Sequence, residues 1–166
     1  MTAGDYHSPE ERLAALGLAL PEVTPPLAAY VPAVRSGNLV FTAGQIPVVE
    51  GKLIATGKVG AEVGEHEAAA LARTCALNAL AAAAAEAGGL ANIKRIVKVT
   101  GFVASAPSFT GQAQVVNGAS ELLLDVLGEA GRHARSSVGM AVLPLDAPVE
   151  IELIAEVIPV DRDAGV

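Results

Sequence analysis

The sequence predicts one α/β domain (α+β in arrangement), a mixed β-sheet with two helices packed on one face. Three observations predict it. The apolar segments run in the order strands, helix, strand, helix, two strands, so helices interrupt the strands twice. A chain of 166 residues suits a single core. Hydrophobic residues make up 52% and charged residues only 17%, which leaves little room for long disordered tracts. That share is high for a soluble monomer, and the excess reads as a buried subunit interface over the sheet face that the helices leave open.

The elements follow from local chemistry. Ser8-Pro9-Glu10-Glu11 starts a helix, with Ser8 as N-cap, Pro9 at the first position and acids in the first turn. Leu13, Leu16 and Leu20 give it a short apolar side. Proline-rich 21–32 should run extended. Strands are expected at 39–43 and 52–55, with a turn at Glu50-Gly51, and Gly57, Gly60 and Gly64 mark a loop. Alanine propensity and the spacing of Leu71, Cys75, Asn78 and Ala82 predict a long helix over 65–87, stopped by Gly88-Gly89. A strand over 93–103 should carry Val97, Val99 and Val103 on one face, with Ile96 and Phe102 on the other. Ser108 is expected to cap a second helix reaching Leu127, with a stripe of Phe109, Ala113, Val116, Ser120, Leu123 and Leu127. Strands over 135–142 and 149–157 complete the chain.

Several function classes fit poorly. The net charge is −7 and the basic residues are scattered, so a nucleic-acid partner is not expected. Aromatics at 3% would make a poor stacking platform. Gly51 to Lys58 resembles a phosphate loop only superficially: five residues rather than four separate its glycines, and Val59 stands where a magnesium-binding hydroxyl is needed. His7, His66 and His133 are too dispersed for a metal cluster, and the single cysteine, Cys75, lies on an apolar stripe and reads as a core thiol. No metal cluster is expected from these residues. With neither a secretory signal nor an apolar run of spanning length, the expected location is cytoplasmic, without a membrane partner.

One constellation stands out. Arg135 opens a strand of small and apolar residues, where an unpaired charge is costly to bury. Ser137 and Gly139 share its side of the pleat and leave a hollow beside a guanidinium suited to two-pronged capture of a carboxylate. Glu150, Glu152 and Glu156 share one face of the last strand, either as a solvated face or with one of them pointing into a pocket lined by another chain.

At these residues the sequence resembles the RidA/YjgF family of reactive-intermediate deaminases. Arg135-Ser136-x-Val138, Ala141-x-Leu143-Pro144 and Val149-Glu150-Ile151 are similar to its C-terminal signature. Ala29-Tyr30-Val31, Gly37-Asn38 and Gly44-Gln45-Ile46-Pro47 are similar to its tyrosine and its G-Q-I-P strand. Arg73 and Asn78 fit its first helix, and Ile96-Val97-Lys98 to Phe102-Val103 its central strand.

The resemblance implies a chorismate-mutase-like fold, a homotrimer with sites in clefts between subunits, and hydrolysis of amino-acid-derived enamines and imines to 2-keto acids and ammonia without a cofactor. Carried over by position, Arg135 would clamp the substrate carboxylate, Tyr30 would line the cleft, Gly44 would bring backbone close to the ligand, and Glu150 would activate water. Ser137 stands where the family often has cysteine, and His133, where it has Pro or Ala, lies on Arg135's face; both are assigned to substrate binding. Ala43 replaces a hydroxyl and Gly139 a larger residue, which predicts a roomier pocket for larger or differently polar substrates. On the second helix Ala113 and Val116 stand where asparagine and tyrosine are expected. The implied organisation is an N-terminal extension with a short helix over 1–25, the family domain over 26–160 and a tail over 161–166. A trimeric carboxylate-binding protein without turnover is the main alternative, and an endoribonuclease or translation inhibitor a weaker one.

Overall fold

A central sheet of five strands in the order β1-β2-β7-β5-β6 organises the protein, seen here in a computed structural model that describes residues 8–23 and 29–159. His7, the prolines at 25 and 26 and the tail 161–166 lie outside the described residues. β1 (Ala33–Ser36) pairs antiparallel with β2 (Leu39–Thr42) across the turn Gly37-Asn38, where Gly37 takes a positive φ of 60°. β7 (Val149–Val157) lies antiparallel between β2 and β5 (Ile93–Ala104), and only β5 and β6 (Ala134–Met140) run parallel. The sheet is therefore mixed, as the element order predicts. β3 (Val48–Val49) and β4 (Lys52–Leu53) form a separate hairpin, its turn made by Glu50 and Gly51 at positive φ.

Among the described residues three α-helices accompany the sheet. α1 (Pro9–Ala15) begins with a reciprocal capping box, Glu11 N–H donating to Ser8 Oγ and Ser8 N–H to Glu11 Oε2. α2 (Glu65–Ala87) is apolar nearly all round and mostly buried, packed on the sheet beside α3 (Gln112–Leu127), which itself lies over β5 and β6. Its 23 residues have the length and composition to cross a membrane, yet here they form the centre of the core. Gly118 of α3 is the close contact, since a Cβ there would lie 1.9 Å from the Ala69 carbonyl oxygen. Gly101 of β5 likewise admits Val116 of α3, whose Cγ2 would be 2.3 Å from a Cβ.

Burial alternates along β7: Val149, Ile151, Leu153, Ala155 and Val157 are buried against the helices, and Glu150, Glu152 and Glu156 point the other way. β5 departs from the expected alternation. A register shift between Ile96 and Lys98 brings Ile96 into the buried core with Val99, while Val97 stays half-buried. The open face carries Val34, Phe41, Val138 and Met140, each at least 36% exposed, beside Lys98 and the glutamates. Ser108 does not cap α3. Pro107-Ser108 is instead a turn closed by Phe109 N–H donating to the Ala106 carbonyl, and the helix starts after Gly111. Of the expected stripe, Val116, Leu123 and Leu127 are buried, but Ala113 is exposed and Ser120 half-buried.

Gly118→Ala should destabilise the protein by about 1–3 kcal/mol, because a methyl group there must push α2 and α3 apart. Thermal unfolding checks this; an unchanged midpoint would mean that the helices separate freely at this crossing.

Candidate functional site

The register between β5 and β6 aims Arg135. Val99, Gly101 and Val103 pair with Arg135, Ser137 and Gly139, and partners in register project to one side, here towards α3. Arg135 is thereby drawn beneath the N-terminal half of that helix. Its Nη1 donates to Asn117 Oδ1 at 2.8 Å and to Ser120 Oγ at 3.1 Å, and Nη2 donates to the Ala113 carbonyl at 3.2 Å. No carboxylate pairs with it among the described residues.

His133 joins the same cluster: Nε2 lies 2.9 Å from Ser120 Oγ and Nδ1 2.6 Å from the Gly131 carbonyl. Burial, reinforced by the Arg135 charge, pulls its pKa below the ordinary histidine value, against the opposing effect of the Gly131 bond. Ser137 lies next along β6, its hydroxyl oxygen buried and without a hydrogen-bond partner among the described residues. The hollow expected over Gly139 is filled. A Cβ built there would lie 3.0 Å from Gln112 Nε2 and 3.3 Å from Ser105 Oγ, and Gln112 is fixed by donating to that hydroxyl and to the Phe109 carbonyl. The room expected at Gly139 is thus corrected: the Gln112 amide occupies it.

Sequence reasoning placed neither Asn117 nor Ser120 at the site. The second helix is not short of an asparagine; Asn117 follows Val116 directly and reaches Arg135. Its spacing from Ser120, three residues on, was the available signal, since both then share one side of a helix.

Glu150 lies elsewhere. It pairs with Phe102, between Gly101 and Val103, so it occupies the sheet face opposite Arg135. Its carboxylate covers Gly44, where a Cβ would come within 1.8 Å of Oε1, and the Gln45–Ile151 bridge holds the two segments together. Burial, with the neighbouring Glu152 charge, raises the Glu150 pKa above the ordinary carboxylate value. Tyr30 is 55% exposed just ahead of β1, at the sheet edge remote from β6. One chain therefore carries two separate groups: His133, Arg135 and Ser137 with α3, and Glu150 with Gly44. Among the described residues no cluster of three or more His, Cys, Asp or Glu side chains could hold a metal ion.

The histidine resonance assigned to His133 should titrate with a midpoint below about 6.5. Because the folded chain binds that proton less readily than the unfolded one, this group's contribution to stability falls as pH drops through that range. A midpoint at or above the ordinary value would contradict the burial described here. Gly44→Ala should displace the Glu150 carboxylate, which chemical-shift changes at Glu150 and Ile151 would report; an undisturbed carboxylate would show that the contact yields easily.

The chain resembles several known proteins. Protein TCP17 of Trypanosoma cruzi is 44% identical over 142 residues, 85% of this chain and 89% of that protein. The 2-iminobutanoate/2-iminopropanoate deaminase of Escherichia coli is 40% identical over 126 residues, covering 76% and 85%. Among solved structures, one from Shewanella oneidensis described as a "putative endoribonuclease" superposes with a TM-score of 0.88 at 38% identity, over 91% of this chain and all of that one. Escherichia coli TdcF with bound serine gives 0.59 at 29% identity, over 80% and 91%. The profile of the family described as "YjgF/chorismate mutase-like, putative endoribonuclease" matches residues 10–157, and with the mixed sheet and the relatives above it places this chain in that family.

Proposed function

We propose that the protein is an enamine/imine deaminase, hydrolysing reactive imines derived from amino acids to 2-keto acids and ammonia. The observation that carries this reading is Arg135, a cation without a carboxylate partner among the described residues, held by three hydrogen bonds at the margin of the sheet. Such a group suits the carboxylate that every amino-acid-derived imine retains. A relative named as an iminobutanoate deaminase and a related structure with bound serine support the same ligand class.

The chemistry asks little of the protein. Water adds to the imine carbon, a proton passes to nitrogen, and the carbinolamine collapses to the ketone as ammonia leaves. Glu150 is suited to accept the water's proton, since its raised pKa makes it a stronger base than an ordinary carboxylate. Arg135 would anchor the substrate and Ser137 would offer its buried hydroxyl. Because Arg135 and Glu150 lie on opposite faces of one sheet, a working site takes them from different copies. A homotrimer with clefts between subunits meets that need and covers the apolar side chains of the open face. Tyr30 would line the cleft from the Glu150 side. Simple carboxylate binding without turnover is the reading that the same separation favours if the chain stays single.

Imines generated by an amino-acid oxidase, followed in competition with semicarbazide, test the activity. Arg135→Ala should weaken binding of a small 2-keto acid by about 10- to 100-fold while leaving the oligomer intact, and Arg135→Lys should be nearly as poor. Equal affinity in all three proteins would remove the clamp. Arg135→Ala and Glu150→Gln should each be inactive alone but regain partial activity when unfolded and refolded together, because some sites then receive both intact residues. Failure to complement, or a monomer by light scattering, would defeat the shared site. Binding without any accelerated imine would leave only the non-catalytic reading.

A further inference from the structure

Both ring nitrogens of His133 are engaged, and together they fix its tautomer. The Gly131 carbonyl can only accept, so Nδ1, 2.6 Å away, carries the hydrogen. In the neutral ring Nε2 is then a lone pair, and at 2.9 Å it accepts the Ser120 hydroxyl hydrogen. With its hydrogen committed, Ser120 Oγ can only accept from Arg135 Nη1 at 3.1 Å. The chain has one direction: Arg135 donates to Ser120, Ser120 to His133, His133 to Gly131.

The same count shows which part of Arg135 is left. A guanidinium has five N–H donors. Nη1 uses both of its hydrogens, on Asn117 and Ser120, and Nη2 uses one on the Ala113 carbonyl. Nε–H and the second Nη2–H have no partner among the described residues. With the Ala113 carbonyl on the Nη2 hydrogen that faces Nη1, the two that remain are parallel on the Nε–Nη2 side and can both reach one carboxylate.

We propose that Ser120 and His133 are positioning residues, which hold Arg135 with its Nε–Nη2 side presented to the ligand carboxylate and do not touch the ligand themselves. This rests on the carboxylate clamp proposed above. Ser120 would otherwise turn its hydroxyl back to the carbonyl one helical turn earlier, as serines within helices do. His133 prevents that, and a long flexible side chain is ordered before the ligand arrives rather than at its expense.

The test is calorimetry with 2-oxobutanoate on the wild type, Ser120→Ala, Ser120→Thr, His133→Ala, the Ser120→Ala/His133→Ala double variant and Arg135→Ala. Each single alanine variant of the pair should weaken binding about three- to tenfold, the scale of one lost hydrogen bond. The double variant should bind no worse than the weaker single one, because both break one chain. Ser120→Thr, which keeps the hydroxyl, should restore affinity to within about twofold of wild type. Nitrogen NMR should show His133 as the Nδ1–H tautomer at neutral pH. Wild-type affinity in Ser120→Ala and His133→Ala, with binding lost in Arg135→Ala, would overturn the positioning role and leave the clamp standing. Unchanged binding in Arg135→Ala would remove both. Additive losses in the double variant, or the Nε2–H tautomer, would also overturn it. Should His133→Ala fail to fold, the Ser120 variants and the tautomer decide the question.

Discussion

The parallel pairing of β5 with β6 sets which side of the sheet receives Arg135, and nearly every other feature of the site follows from it. A slip of one residue would send Arg135 to the open face and bring Ser136 under α3. Two contacts oppose such a slip. Lys98 Nζ donates to Ser136 Oγ at 2.9 Å on the open face. Ahead of the strand, Gly131 lies so close to α3 that a Cβ would meet the Leu123 carbonyl oxygen at 2.2 Å. The β5–β6 register is thus held on the open face by a hydrogen bond and on the helix face by the close approach of Gly131 to α3.

Much of the fold was legible because its signals are local. The Ser8 N-cap, the Glu50-Gly51 turn and the full span of α2 are all written within a few residues of where they act. β7 was equally clear, since glutamate and aliphatic residues alternate along it. The failures have a different origin. β1 is four residues long, Ala-Val-Arg-Ser, too short for its alternation to register. The β5 bulge depends on how β7 lies beside it, which no pattern within β5 records.

The site was half legible for the same reason. Arg135 is conspicuous as a charge among small residues, and the family resemblance marks it, but its partners lie 15 to 22 positions away on another element. On a helical wheel Ser120 reads as a gap in an apolar stripe; only the docking of β6 beneath α3 makes it a ligand of Arg135. Gly139 misled in the opposite sense. A missing side chain suggests space, yet Gln112 from the start of α3 takes that space. Gly44 combines both lessons: the resemblance marks it as a close approach for ligand, and the structure fills that approach with the protein's own Glu150.

Ser137 adds a conflict between endurance and use. Its hydroxyl is buried without a partner among the described residues, which costs the empty protein about 1–3 kcal/mol compared with a satisfied group. In the proposed site an acceptor arriving beside it would meet a donor whose dehydration is already complete, which would store part of the binding preference as native instability. Alanine at this position would make a hardier protein and a blunter site. Selection for heat resistance alone would therefore act against Ser137, and selection for the proposed ligand would act for it.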